Sequence, residues 1–343
     1  MHLDLLEILA CPACSGTLAL DPPADPGTAQ VEEGELACTG CARRYPVRRG
    51  VPRLTTEAPS PQAQALARSF RQASGLSPDD ATRFLDRIHP VTPDFFRGKR
   101  VLDLGCANGR NAAAAAGFGA ARVVALESCE AVEVARDNCR HLAQVDVVQG
   151  DLLRPPFAPG SFDYAWCLGA LNYLPRPFDG FVALARQVRP GGHLSVWVYS
   201  QEGNRWLARA LQMLRRATCG VPDGVHRALG GALAWLLYMA VHAIYEPLHA
   251  LAPRLARRLL YSDYLLTLGG LRLGQLRSIV YQKLTAPEPQ FISRRQFLSW
   301  FRLLGLEVLR TSWLNGNSWR GLGQVPASGM LEPPAPRRRV VRE

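Results

Sequence analysis

Residues 99–127 of this 343-residue chain, KRVLDLGCANGRNAAAAAGFGAARVVALE, constrain its fold more than any other stretch. Residues 101–104 read as a short apolar strand and 105–109 as a tight turn. The stretch from Asn111, with its five consecutive alanines, reads as a helix. Residues 123–126 read as a second strand, closed by Glu127. Such a β-α-β unit sets a glycine turn at a helix N-terminus. Glycine lets the backbone approach a ligand without a Cβ clash. The helix start offers free N–H groups, and a carboxylate closing the second strand accepts hydrogen bonds from ribose hydroxyls. The layout suits an adenine nucleoside; an α/β turn with no ligand is the bland alternative.

A dinucleotide fingerprint reads G-x-G-x-x-G, whereas the spacing here is Asp103-x-Gly105-x-Ala107-x-Gly109. This pattern resembles the first motif of class I S-adenosyl-L-methionine (SAM) methyltransferases, acidic-x-G-x-G-x-G, with Ala107 in place of the middle glycine. Residues 145–174 resemble the family's third and fourth strands, with Asp163 opening the fourth. Residues 186–200 resemble the next helix, Pro-Gly-Gly turn and fifth strand, and 294–325 the closing helix and antiparallel pair. The resemblance implies an α/β fold: a Rossmann-like sheet with helices on both faces, binding SAM. It implies cofactor contacts at Asp103, Gly105, Cys106, Ala107, Gly109, Glu127, Asp151, Leu152 and Leu168. Many members carry histidines after the fourth strand. Here the stretch is Gly169-Ala170-Leu171-Asn172-Tyr173-Leu174, so no histidine base carries over. Asn172 and Tyr173 are the residues left there to orient an acceptor, and His242 and Tyr281 are further catalytic candidates.

Four of the nine cysteines fall as Cys11-x2-Cys14 and Cys38-x2-Cys41. Two such knuckles suit a tetrahedral zinc site with four thiolates, which would be structural because protein fills every ligand position. Redox or unligated thiols are the alternative. The other five cysteines fit buried small apolar residues. The stretches LLEILACPAC and ELACTGCARRYPVRRGVPRL resemble the zinc-ribbon family of methyltransferase activators, here fused in cis. Arg43, Arg44, Arg48 and Arg49 form a basic stripe that reads as a solvated face.

The expected domains are a zinc ribbon over 1–57, a SAM-binding domain over 58–200, a helical cap insertion over 201–287, the rest of the SAM-binding domain over 288–326, and a disordered tail over 327–343. Helices are expected near 62–73 and 79–88. The net charge is +11, and residues 200–343 alone carry 20 basic against 8 acidic residues. The cap reads either as a lid over an anionic or large acceptor or as a packing face with a solvated arginine rim. Its apolar run 228–245 reads as a buried helix rather than a membrane span, so no integral membrane insertion and a cytoplasmic location are expected. The N-terminus reads as neither signal nor transit peptide. The first functional reading is methyl transfer to an oxygen, nitrogen or carbon nucleophile of a small-molecule metabolite under the cap. The alternatives are an rRNA or tRNA base methyltransferase and a non-catalytic SAM-binding scaffold.

Overall fold

The computed structural model describes residues 1–329 apart from 24, 26, 28, 57–63, 65–66, 68–74, 219, 257, 260, 286 and 287. The helix expected near 62–73, Cys219 and the tail beyond 329 lie outside the described residues.

Eleven strands form one sheet in the order β1-β2-β3-β4-β7-β6-β5-β8-β9-β11-β10. The strands are β1 (Leu18–Leu20), β2 (Gly34–Cys38), β3 (Arg44–Arg48), β4 (Val51–Leu54), β5 (Arg100–Leu104), β6 (Arg122–Glu127), β7 (Val145–Gly150), β8 (Phe162–Leu168), β9 (Val188–Tyr199), β10 (Glu307–Leu314) and β11 (Ser318–Gln324). From β4 through β9 the neighbours run parallel, and β11 and β10 close the far edge antiparallel. The central parallel strands read as near-continuous apolar runs because helices cover both of their faces. These helices are α1 (Asp80–Ile88), α2 (Arg110–Gly117), α3 (Ala131–Cys139) and α4 (Pro177–Gln187). Chain order reverses between β5 and β8, and ligands of open α/β sheets bind outside the strand ends at such a point.

The ribbon does not stand apart from this sheet. β4 pairs parallel to β7, with Arg53 opposite Gln149 and Leu54 opposite Gly150. One apolar core runs from Leu5, Leu36 and Val47 of the ribbon to Leu102, Leu104 and Val124 of the central strands. Polar contacts seal the joint. The His2 backbone N–H donates to the buried Asp146 carboxylate at 2.9 Å, Arg53 pairs with Glu133 of α3, and Arg136 pairs with Glu32 at 2.9 Å. The basic stripe is therefore partly a docking surface: Arg49 reaches Glu133 at 2.9 Å and Asp137 at 2.5 Å.

The insertion after β9 is helical: α5 (Arg205–Ala217), α6 (Asp223–Ala240), a π turn (Val241–Tyr245), α7 (Glu246–Leu251), α8 (Pro253–Ala256), α9 (Ser262–Gly269) and α10 (Leu273–Thr285). The chain then returns through α11 (Arg294–Leu303), which a Ser293 capping box starts. The apolar run at 228–245 forms the expected helix, but not a buried one. In the 28-residue segment Gly224–Leu251, long and apolar enough to cross a membrane, only 17% of the apolar window is buried. Gly230, Ala234 and Val241 are its buried residues, and Leu237 and Tyr238 beside them are half-buried against the cap's own core.

The turn after β5 has a left-handed backbone at Gly105 (φ 83°), Ala107 (φ 53°) and Gly109 (φ 79°). Ala107 pays for its Cβ there, whereas glycine would not. Ala107→Gly should raise unfolding stability by about 0.5–1 kcal/mol, the relief of left-handed strain less the added unfolded-state entropy. A shift of the denaturation midpoint to higher urea checks it. Because ribbon and sheet share a core, unfolding should be one transition. Stripping zinc, or Cys38→Ser, should lower its midpoint by roughly 10 °C, given what a structural zinc site contributes. A separate ribbon transition in calorimetry, with the main one unmoved, would contradict this.

Candidate functional site

A cavity of about 790 Å3 lies at the carboxyl ends of the parallel strands, between the sheet and the cap. Gly105, Cys106, Ala107, Glu127, Asp151, Leu152 and Leu168 line one part of it. Gly105 must be glycine, because an added Cβ would sit 2.5 Å from the Ala170 Cβ. Glu127 is held by donors on both oxygens: Ala107 N–H donates to Oε2 at 2.9 Å, and Ser128 N–H and Cys129 N–H donate to Oε1 at 2.8 and 3.3 Å. Asp151 Oδ1 accepts the Leu153 N–H at 2.9 Å, which shapes the loop after β7.

Two residues of the expected cofactor set do not line the cavity. Gly109 packs against α3, where a Cβ would meet Cys139 Sγ at 3.0 Å and Ala135 Cα at 3.2 Å. Asp103 is buried beneath the turn, and neither of its oxygens has a hydrogen-bond partner among the described residues. Burial raises its pKa to about 8, the Trp166 indole opposes that shift, and the Glu127 charge adds to it. Burial, the largest of these influences, favours the protonated carboxyl.

The opposite part of the cavity is lined by Arg83, Asp86 and Arg87 of α1, by Tyr173, Trp197 and Tyr199, and by Tyr264, Leu268, Leu271, Ile279, Gln282 and Lys283 of the cap. Here the Lys283 ammonium sits 4.1 Å from the centre of the Tyr199 ring. The Arg87 guanidinium lies 5.0 Å from the Trp197 ring centre. Burial, reinforced by the Arg110 charge, lowers the pKa of Arg87 to about 10. Burial pushes the Tyr199 phenol up, but Lys283 and then Arg87 outweigh it and hold the phenol below its ordinary value. Asn315 and Asn317 of the β10–β11 loop also face this cavity. Their neighbours are engaged elsewhere: Trp319 Nε1–H donates to Glu202 at 3.1 Å and Arg320 donates to Ser312 Oγ at 2.7 Å.

Of the four catalytic candidates, only Tyr173 lines the cavity. Asn172 is fully buried and spent on backbone. It donates to Gln290 O at 2.6 Å and Tyr199 O at 3.3 Å, and accepts the Tyr199 N–H at 3.0 Å. It ties the returning chain to the end of β9 rather than orienting an acceptor. His242 pairs through Nδ1 with Glu246 at 2.7 Å, one helical turn away and outside the cavity. Tyr281 is buried against Gly230, on the side of α10 that packs on α6. Arg87 and Tyr199 were not singled out from the sequence. Tyr199 carried one usable signal, as the last residue of a parallel strand at the ligand-binding end. Arg87 carried none, since only the fold brings α1 to the cap.

The four cysteine sulfurs of the ribbon all lie within 4.8 Å of one another, with Cys11–Cys41 at 3.7 Å and Cys14–Cys38 at 3.5 Å. Tetrahedral Zn–S bonds of about 2.3 Å place sulfurs about 3.8 Å apart, so the four thiols fit a structural zinc ion. Gly16 permits this closeness, since a Cβ would lie 3.2 Å from Cys14 Sγ and Cys38 Sγ.

Residues 102–196 match the family described as methyltransferase domain, and residues 2–50 the Trm112p-like protein family. Among curated relatives, the 27-O-demethylrifamycin SV methyltransferase of Amycolatopsis mediterranei is 35% identical over 120 residues, 34% of this chain and 43% of that protein. The ubiquinone biosynthesis O-methyltransferase of Klebsiella pneumoniae is 32% identical over 151 residues, 41% of this chain and 62% of that protein. The chain spans between about a third and three fifths of the length of the curated relatives it matches. A solved complex of the Haloferax volcanii Trm112 methyltransferase activator with a putative methyltransferase is similar at a TM-score of 0.46 and 16% identity, covering 79% of this chain and 100% of that one. Residues 2–50 are thus a Trm112p-like zinc ribbon and residues 102–196 a methyltransferase domain, joined in one polypeptide.

Proposed function

We propose that this chain is a SAM-dependent methyltransferase that methylates a nucleophile of a small organic acceptor held between the sheet and the cap. The observation that carries this reading is one continuous cavity running from Glu127 and the glycine turn to Tyr199 and Lys283. A ubiquinone biosynthesis O-methyltransferase and a 27-O-demethylrifamycin SV methyltransferase among the relatives both carry names that point to an oxygen of a small organic molecule, which supports an acceptor of this kind. The apolar wall of Leu268, Leu271 and Ile279 favours an organic acceptor over a nucleic-acid base.

In this reading Glu127 accepts from the ribose hydroxyls, Gly105 and Cys106 bring backbone close to the ligand, and Asp151 and Leu152 meet the adenine. Bound there, SAM would supply a methyl group activated on a sulfonium, whose carbon would bond to the acceptor lone pair as the C–S bond breaks and the neutral thioether leaves. The protein's task is then alignment and proton removal. Tyr199 takes the acceptor proton, and Lys283 and Arg87 stabilise the phenolate that does so. The apolar cap excludes water, which strengthens these charges.

Calorimetric titration of SAM into Glu127→Ala should show affinity at least tenfold weaker than in the parent chain; equal affinity would overturn the cofactor assignment. The active form of Tyr199 is the deprotonated one. With an acceptor in hand, kcat/KM should therefore rise with pH through the lowered Tyr199 pKa and then level off. Tyr199→Phe should lose that rising limb and about 10²–10⁴-fold in rate; an unchanged profile removes Tyr199 as the base.

A further inference from the structure

The cap turns an apolar helical face outward. At 100° per residue, Val225, Ala228, Ala232, Trp235, Leu236 and Met239 of α6 fall within a stripe of about 100°. The buried Gly230 and Ala234 lie on the opposite side of the same helix. Trp235 is 51% exposed and Leu236 57%. The face continues past the π turn to Leu251, which is 86% exposed, and Leu255. On α5, Trp206 and Met213 are exposed at 70% and 65%.

Arginines are interleaved with these residues. Arg277 of α10 shares a surface depression with Trp235 and Leu236. Arg254 lies beside Leu255 in another, and Arg209 stacks over the Trp206 ring at 5.4 Å. Exposed tryptophan and leucine flanked by arginine are the composition of helices that lie in a membrane interface. Arginine stems can rest on the apolar layer while their heads meet phosphate. The cap segment 201–287 carries 11 basic against 4 acidic residues, the sign that an anionic surface needs.

We propose that the outer face of the cap, centred on Trp235 and Leu236 of α6, docks on the surface of an anionic lipid bilayer. α6 lies on that surface and does not cross it, because its Gly230–Ala234–Val241 stripe is committed to the protein. α10 stands between the docked face and the cavity. It packs against α6 on one side and gives Ile279, Gln282 and Lys283 to the cavity on the other.

The test is co-sedimentation of the full chain with vesicles of phosphatidylcholine, with and without phosphatidylglycerol. Binding should be at least tenfold stronger with phosphatidylglycerol and should weaken as salt is raised. The double variants Trp235→Ser/Leu236→Ser and Arg254→Glu/Arg277→Glu should each lower binding about tenfold or more, with the thermal midpoint unchanged. All four residues are exposed, so the fold should tolerate both changes. Four results would overturn the proposal. The chain fails to bind anionic vesicles, or it binds and neither variant weakens the binding. It resists extraction from membranes by alkaline carbonate, as a spanning helix would. Or it forms a dimer in sedimentation that Trp235→Ser/Leu236→Ser dissolves, which would assign the face to a second copy of the chain.

Discussion

Two rungs of parallel pairing, Arg53 with Gln149 and Leu54 with Gly150, join the zinc ribbon to the sheet, and the cavity depends on them. Without β4, β7 would be a bare edge of a parallel sheet, with a row of unpaired N–H and C=O groups. The register also delivers chain to the site. Thr55 and Thr56, the residues after β4, line the cavity, as does Gly150 at the end of the second rung. The four thiolates therefore act at a distance. They hold the turns of the ribbon, the ribbon holds β4, and β4 closes the edge beside the cofactor-facing loop. Salt bridges from Arg49 and Arg53 to Glu133 extend the joint to α3, the helix against which Gly109 packs.

Within the site, two acidic side chains near one turn have opposite surroundings. Glu127 accepts three backbone N–H groups, while Asp103 accepts none among the described residues. The first can exchange a backbone donor for a ligand hydroxyl, because it already faces the cavity. The second is sealed under the turn, where burial favours its neutral form. At the cap end the balance is cationic. Arg87 and Lys283 pack on Trp197 and Tyr199, so each half-buried charge meets an aromatic face.

The sheet and the cofactor end were legible in the sequence because their signals are local. Gly105 and Glu127 lie in one β-α-β unit of about 25 residues, and each cysteine pair sits on its own turn. The positive φ of Ala107 was foreseeable only as a departure from a glycine pattern, since alanine carries no mark of a left-handed backbone. The acceptor end could not be assembled from the sequence, and the reason is distance along the chain. Arg87, Tyr199 and Lys283 come from three separate segments, and nothing local to any of them announces the other two. Asn172 was misread for a related reason. Its partners, Tyr199 and Gln290, lie far along the chain, so a residue next to a known motif position looked free when its amide was fully engaged.

The cap shows a different limit. A helix apolar all round has no periodicity from which to choose a face, so burial was the natural expectation for 228–245. Small residues, not large ones, decide which side turns inward. Gly230 lies against Tyr281, where an added Cβ would be 3.5 Å from its Cα, and so lets α6 approach α10 closely. The bulky Trp235, Leu236 and Met239 cannot occupy that seam and are left outside. Close packing on one stripe thus creates the exposed face on the other, and makes α6 and α10 a single unit. Lys283 belongs to that unit, so the outer surface of the cap and the cationic end of the cavity share one rigid support.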